Sequence, residues 1–149
     1  MLASNQLIGL SVAASVLTHE YWRAIKTDAA AGGNTHTEVQ MKDDTGTLIT
    51  ITSGMLSQSG LSSFNAAVLV DGTTASGTGF QTDTSGIGSY LQIYLGAGNG
   101  KNVHTWIFWV NGTTPATWNI EYSNDGVSWT TVYTGLSSTG AAGAKTATW

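Results

Sequence analysis

The sequence predicts an all-β protein, folded as an antiparallel β-sandwich. Threonine and serine together make up a quarter of its 149 residues, and threonine favours strands. Nineteen glycines and a single proline lie among short apolar runs, as in proteins whose many strands are joined by tight turns. No run has the apolar period of an amphipathic helix. The length suits one domain with one core.

Seven segments have the composition of strands, with alternating or continuous apolar and β-branched residues. In chain order they are residues 21–27, 37–42, 47–52, 90–95, 103–110, 117–123 and 129–133. Residues 29–34 and 136–144, rich in glycine and alanine, are expected to form flexible loops. The final strand of the sandwich is either residues 145–149 or one borrowed from another chain.

Alternation gives most of these strands one inner and one outer face. The side chains expected to share the inner faces are Val39, Met41, Leu91, Ile93, Leu95, Trp118, Ile120 and Tyr122. The segment 103–110 breaks this rule, because large apolar side chains emerge from both of its faces. We expect its second face to be covered by a loop or arm of the same chain or by a neighbouring subunit, or to serve as an aromatic binding platform.

The low charge of the chain excludes one class of partner. Nine acidic and five basic residues give a net charge of −4, which leaves too few cations to neutralise a row of phosphates. Nucleic-acid binding is therefore not expected. Without cysteine there is no disulfide, thiolate nucleophile or zinc–thiolate cluster, so the fold must depend on packing.

Residues 7–17 form an apolar run ahead of the first strand. No lysine or arginine precedes the apolar run, although a secretory signal would have one. The run is also shorter than the roughly 20 residues that span a bilayer, so membrane insertion is not expected. We expect residues 1–18 to be either a docking arm or a first strand of the domain's own sheet, followed by one domain over residues 19–149.

The segment 117–133 predicts a β-hairpin. Asn124, Asp125 and Gly126 supply residue types that tolerate the positive φ angles of tight turns. Trp129, after the turn, is expected to return and pack near Tyr122.

The run from Trp118 to Trp129 resembles the hairpin of the discoidin-like domains, also called coagulation factor 5/8 type C domains. An aromatic-x-Ile/Leu-x-Tyr/Phe-Ser-x-Asp-Gly-x-x-Trp pattern is typical of that family. Four further short matches occur in the expected order, at Tyr21 to Arg23, at Val39 to Met41, at residues 67–72 and at residues 90–96. The resemblance covers residues 19–149 and implies a galactose-binding-like jelly roll.

The opening of the domain, from His19 to Arg23, is especially similar to a subset of these domains found in bacteriophage virion and tail proteins. That similarity implies a virion location. Many members of the family also hold a structural Ca²⁺ near an Asp-Gly loop. Here residues 71–78 offer one carboxylate, Asp71, and several hydroxyls, whereas calcium takes about six to eight oxygens. We expect no cofactor and a turn-forming Asp71, with bound calcium as the alternative; Phe80 replaces the Trp usual after this loop and is expected in the core.

No set of residues predicts catalysis. His19, His36 and His104 lack metal-ligand spacing and are expected to be surface or packed imidazoles. The acidic residues fall in predicted turns or at outward strand positions. We therefore predict no catalytic residue and no metal ligand.

Two non-enzymatic functions remain. In the first, the chain is a bacteriophage virion structural protein, a capsid decoration, head fibre or tail/baseplate component that forms oligomers and binds neighbouring subunits through its N-terminal arm and one apolar face of residues 103–110. The interface residues of the arm are Leu7, Ile8, Leu10, Val12, Val16 and Leu17.

In the second, the chain is a carbohydrate-binding module that mediates adhesion to host cell-surface glycans. Sugar recognition needs exposed aromatic rings together with polar side chains. The candidate contacts are Tyr90, Tyr94, Trp106 and Trp109. The alternative for Trp106 and Trp109 is that they partly fill the core.

Overall fold

A computed structural model of the chain describes residues 17–29, 34–74, 77–82, 86–111 and 116–149. Over these residues the protein is an antiparallel β-sandwich of two five-stranded sheets, which confirms the predicted fold class. Helical structure in the described part of the chain amounts to two single-turn 3₁₀ helices, Ser53–Met55 and Val68–Val70.

Each sheet takes strands from along the whole domain. The first sheet contains β1 (Tyr21–Lys26), β3 (Leu56–Ser59), β6 (Tyr90–Tyr94), β8 (Thr117–Ser123) and β9 (Thr130–Ser137), in the order β3-β6-β1-β8-β9. The second contains β2 (Asn34–Asp43), β4 (Ser63–Phe64), β5 (Phe80–Thr82), β7 (Val103–Asn111) and β10 (Gly143–Thr148), in the order β10-β7-β2-β5-β4. The strand β10 pairs with β7 over its whole length, so the last strand belongs to the chain itself.

The core lies between the sheets and is rich in aromatic rings. Trp118 of one sheet meets Phe80 and Phe108 of the other at ring-centroid distances of 5.9 and 5.4 Å. His36 is fully buried among them, stacked on Phe80 at 3.9 Å. The side chains predicted to face inward do so: Val39, Met41, Leu91, Ile93, Leu95, Trp118 and Ile120 are buried, and Tyr122 is partly buried against the core.

Both faces of β7 are covered to different degrees. Trp106, Phe108 and Val110 are buried in the core. On the opposite face, Ile107 is 9% exposed and Trp109 is half-buried. The chain therefore already covers Ile107, which reduces the apolar area that β7 could offer to another subunit.

Two local predictions are wrong. Residues 47–52 do not form a strand, because Leu48 makes only an isolated bridge with Lys42 and the chain then leaves the sheet edge. The loop predicted at 136–144 is shorter, residues 138–142, since β9 continues to Ser137 and β10 begins at Gly143. Small side chains give these strand ends little pattern, yet their backbones pair with the long strands β8 and β7.

Candidate functional site

The outer face of the first sheet carries aromatic and charged side chains side by side. Arg23 of β1 lies in register between Gln92 of β6 and Glu121 of β8. One step along the strands, Tyr21 lies opposite Tyr94. Residues two apart on a strand lie roughly 7 Å apart on one face, so these side chains form a continuous surface.

A charged pair anchors the centre of this face. The Arg23 guanidinium donates from Nε to Glu121 Oε2 at 2.7 Å, and its Nη2 lies 2.6 Å from the same oxygen. The second carboxylate oxygen, Oε1, accepts a hydrogen bond from the Thr131 hydroxyl at 3.0 Å. Both charged side chains are largely covered, at 17% and 13% exposed, so the pair is fixed in position.

Aromatic rings surround this pair. The Arg23 guanidinium carbon lies 4.0 Å from the centroid of the Trp129 ring and 5.5 Å from that of Tyr90, which are cation–π distances. Tyr21 and Tyr94 stack with centroids 4.3 Å apart and planes inclined by 16°. We call the four rings with Arg23 and Glu121 the aromatic platform.

The turn between β8 and β9 positions Trp129 on the platform. The Asp125 carboxylate accepts the backbone N–H groups of Val127 and Ser128 at 2.8 and 2.7 Å, and these hydrogen bonds hold the pKa of Asp125 well below its usual value. Gly126 has φ +71°, and a Cβ there would lie 3.2 Å from the Tyr21 ring. The Asp-Gly pair is thus required both for the turn and for the close approach of Tyr21.

The surroundings of Tyr21 favour the neutral form of its phenol. Desolvation by neighbouring groups raises the pKa of Tyr21, and its hydrogen bond with Tyr94 and the negative charges of Glu20 and Asp125 add to the effect. A protonated phenol can both donate and accept hydrogen bonds.

A second surface, which we call the entry groove, lies where the chain enters the described domain. It has a volume of about 240 Å³ and is lined by Leu17, His19, Trp22, Asn102, Val103, Tyr122, Val132 and Trp149. The His19 ring stacks on Tyr122 at 3.6 Å, and Trp22 stacks on Trp149 at 5.9 Å. Leu17 is 64% exposed at this groove.

The four predicted glycan contacts do not form one site. Tyr90 and Tyr94 lie on the aromatic platform, whereas Trp109 lies on the outer face of the second sheet. Trp106 is completely buried, so its prediction as a contact residue is wrong. Of the predicted interface residues, Leu17 is described, while Leu7, Ile8, Leu10, Val12 and Val16 lie outside the described residues.

The sequence pattern does not identify four members of the platform as site residues, namely Tyr21, Arg23, Glu121 and Trp129. Tyr21 and Arg23 alternate with the buried Trp22 and Ala24, a pattern that could have placed them on an outer face. Trp129 was expected near Tyr122 but instead covers Arg23. Tyr122 points between the sheets and stacks on His19, so the two rings lie on opposite faces.

The remaining candidate chemistry is structural. Asp71 Oδ1 accepts hydrogen bonds from the Thr73 backbone N–H and hydroxyl, which is the geometry of a turn-forming aspartate. Among the described residues, no group of three histidine, aspartate or glutamate side chains is placed to hold a metal ion. In the same part of the chain, no helix has the length and apolarity needed to cross a membrane.

No protein-family model, curated protein or solved structure matches the chain. The discoidin-like resemblance therefore remains a prediction from the sequence.

Proposed function

We propose that this protein is a non-enzymatic structural component of a bacteriophage virion, which binds neighbouring virion subunits at its N-terminal end. The observation that supports the proposal is the exposure of Leu17, 64% of whose surface is open to water beside the aromatic rings of the entry groove. Covering one such side chain contributes roughly 1.5–3 kcal/mol. A neighbouring subunit that packs on the groove would also cover Trp149 and Val132.

The composition agrees with assembly in many copies. Only 9% of the residues are charged, against about 25% in an average globular domain, so closely packed copies repel one another weakly. The resemblance of the segment from His19 to Arg23 to domains of phage virion proteins supports the proposed virion setting. The outer face of β7 contributes less than expected, because Ile107 is already covered.

Site-specific cross-linking in assembled particles tests this proposal. A photoreactive amino acid at position 17 should cross-link to another virion subunit in purified particles. The matched control is position 87, where Ile87 is 67% exposed but lies in the turn that contacts the opposite end of β1. Equal cross-linking from both positions, or none from position 17, would contradict docking at the entry groove.

The second candidate function is glycan binding on the outer face of the first sheet. It is favoured by the aromatic platform, which places Tyr90 and Tyr94 beside polar side chains on an accessible sheet face. Aromatic rings together with hydrogen-bonding groups are the usual components of a sugar site. The two functions use different surfaces and are compatible in one molecule.

A further inference from the structure

We propose that the aromatic platform binds an uncharged glycan, with one pyranose ring stacked on Trp129, and that it discriminates against acidic sugars. This inference rests on the second candidate function and specifies its site and ligand class. It begins with Trp129, one face of which is covered by the Arg23 guanidinium at 4.0 Å. The indole is only half-buried, so a ligand can reach it from the solvent side.

The indole is held in place before any ligand arrives. Arg23 is anchored to Glu121 through two nitrogens, and Glu121 is anchored in turn by Thr131. The turn hydrogen bonds to Asp125 fix the backbone just before Trp129. A ring that is already ordered loses little entropy on binding, which favours affinity for a small, weakly attractive ligand.

The chemistry of the face suits a sugar ring. The π-face of an aromatic ring carries partial negative charge and attracts the C–H groups of a pyranose. Hydroxyl groups on the ring edge need donors and acceptors nearby. Gln92 pairs with Arg23, and Ser57 pairs with Gln92 on the next strand, on the same outer face. Gln92 is partly covered and Ser57 is exposed.

Charge decides the class of sugar. Glu121 neutralises Arg23, so an acidic sugar finds no unpaired cation on the platform. The negative charges of Glu20 and Asp125 act on the adjacent Tyr21 and would repel a carboxylate. The chain as a whole carries a net charge of −4. Neutral hexose polymers therefore fit the platform, and uronate polymers do not.

Affinity electrophoresis of the full chain in gels that contain one polysaccharide each tests the proposal. The probes are dextran, mannan and galactan as neutral polymers, and polygalacturonate and hyaluronan as acidic ones. We expect at least one neutral polymer, and neither acidic polymer, to retard the protein. Retardation by no neutral polymer, or equally strong retardation by an acidic one, would overturn the proposal.

Variants then locate the site. Trp129→Ala should weaken retention by about tenfold or more, as for a central contact residue, while Trp129→Phe keeps most of it. The control is Val127→Ala, in the same turn and at a side chain 80% exposed, which should bind like the wild type. Thermal unfolding of each variant shows that the domain is folded. Retention unchanged in Trp129→Ala would refute the platform while leaving a glycan site elsewhere on the molecule.

Glu121→Gln provides a readout that a purely structural role would not produce. The substitution leaves Arg23 without its counter-charge, so the platform should gain retention on polygalacturonate. The cross-linking experiment at position 17 judges the virion proposal separately.

Discussion

The outer faces of the two sheets differ in what covers them. On the first sheet, Arg23 is covered by the side chains of Trp129 and Tyr90 rather than by a loop, and the surrounding tyrosines remain partly accessible. On the second sheet, the chain itself closes over the outward residues: Glu38 is 4% exposed beneath the segment that follows Val68–Val70, where the Thr37 hydroxyl donates to Thr74 O at 2.9 Å. An outward position on a strand is therefore a surface position only where no loop crosses the sheet.

The largest loss of stability is expected from a substitution in the core between the two sheets. Trp118→Ala removes a fully buried ring that packs on Phe80 and Phe108 and donates from Nε1 to Ser138 Oγ at 3.2 Å. We expect a loss of about 3–5 kcal/mol in the free energy of unfolding, measured by urea denaturation.

The control for this prediction is Trp129→Ala on the platform. Its ring lies on an outer face and is only half-buried, so the loss should be about 1 kcal/mol. Equal losses of unfolding free energy for the two tryptophan variants would mean that Trp129 is packed as tightly as a core residue. The outer face of the first sheet would then not be open.

The next prediction concerns the stability contribution of Glu38, on the covered outer face of the second sheet. Burial raises the pKa of Glu38, and the charge of Asp71 adds to it, against hydrogen bonds from Gln40 and Gly72 that lower it. A carboxyl with a raised pKa binds more protons in the folded state, so its contribution to stability falls as pH rises from its ordinary value of 4.5 through the raised pKa. Glu38→Gln should remove this loss of stability with rising pH.

The measurement is the free energy of unfolding of both proteins between acidic and neutral pH. Glu38→Gln should be the more stable at neutral pH, because the amide has no charge that burial would penalise. The difference should shrink toward acidic pH. A difference that is independent of pH would show that the Glu38 charge is not desolvated.

A smaller effect is expected from the ion pair on the open face. A double-mutant cycle of Arg23→Gln and Glu121→Gln should give a coupling energy of about 1 kcal/mol, since the pair is partly covered but close to solvent. High salt should reduce the coupling. A coupling that salt does not change would place the pair in a closed interior and remove the accessible platform.

The sequence predicts the inner faces better than the outer ones. Alternation identifies Leu91, Ile93 and Trp118 as core residues because burial is a property of each strand and its period. It also marks Glu38 as outward, which is correct for the strand but wrong as to exposure. The missing information is the path of residues 68–74, which depends on long-range packing that no local pattern records.

The aromatic platform also depends on long-range packing that the sequence pattern does not record. Its members come from β1, β6, β8 and the residue before β9, and strand order β6-β1-β8-β9 brings them together. The sequence supplies each aromatic residue but not the order of the strands. Tyr90 and Tyr94 were accessible to prediction as a pair on one strand, whereas the contact of Arg23 with Trp129 depends on the pairing of strands separated by about a hundred residues in the chain.

The hairpin turn is the exception, and it carries the smallest predicted effect. The lowered pKa of Asp125 arises from hydrogen bonds within Ser123 to Ser128, a local arrangement that the Asn-Asp-Gly sequence predicts.

A carboxylate with a lowered pKa stabilises the fold at pH values above its ordinary pKa of 3.8. It loses that contribution as the pH falls below this value. Asp125→Asn should therefore flatten part of the acid-induced fall in Tm. Because Asp28, Asp43 and Asp71 also have lowered pKa values, some acid sensitivity should persist in the variant. Identical pH profiles of Tm for the two proteins would mean that the turn stabilises the platform through its backbone conformation alone.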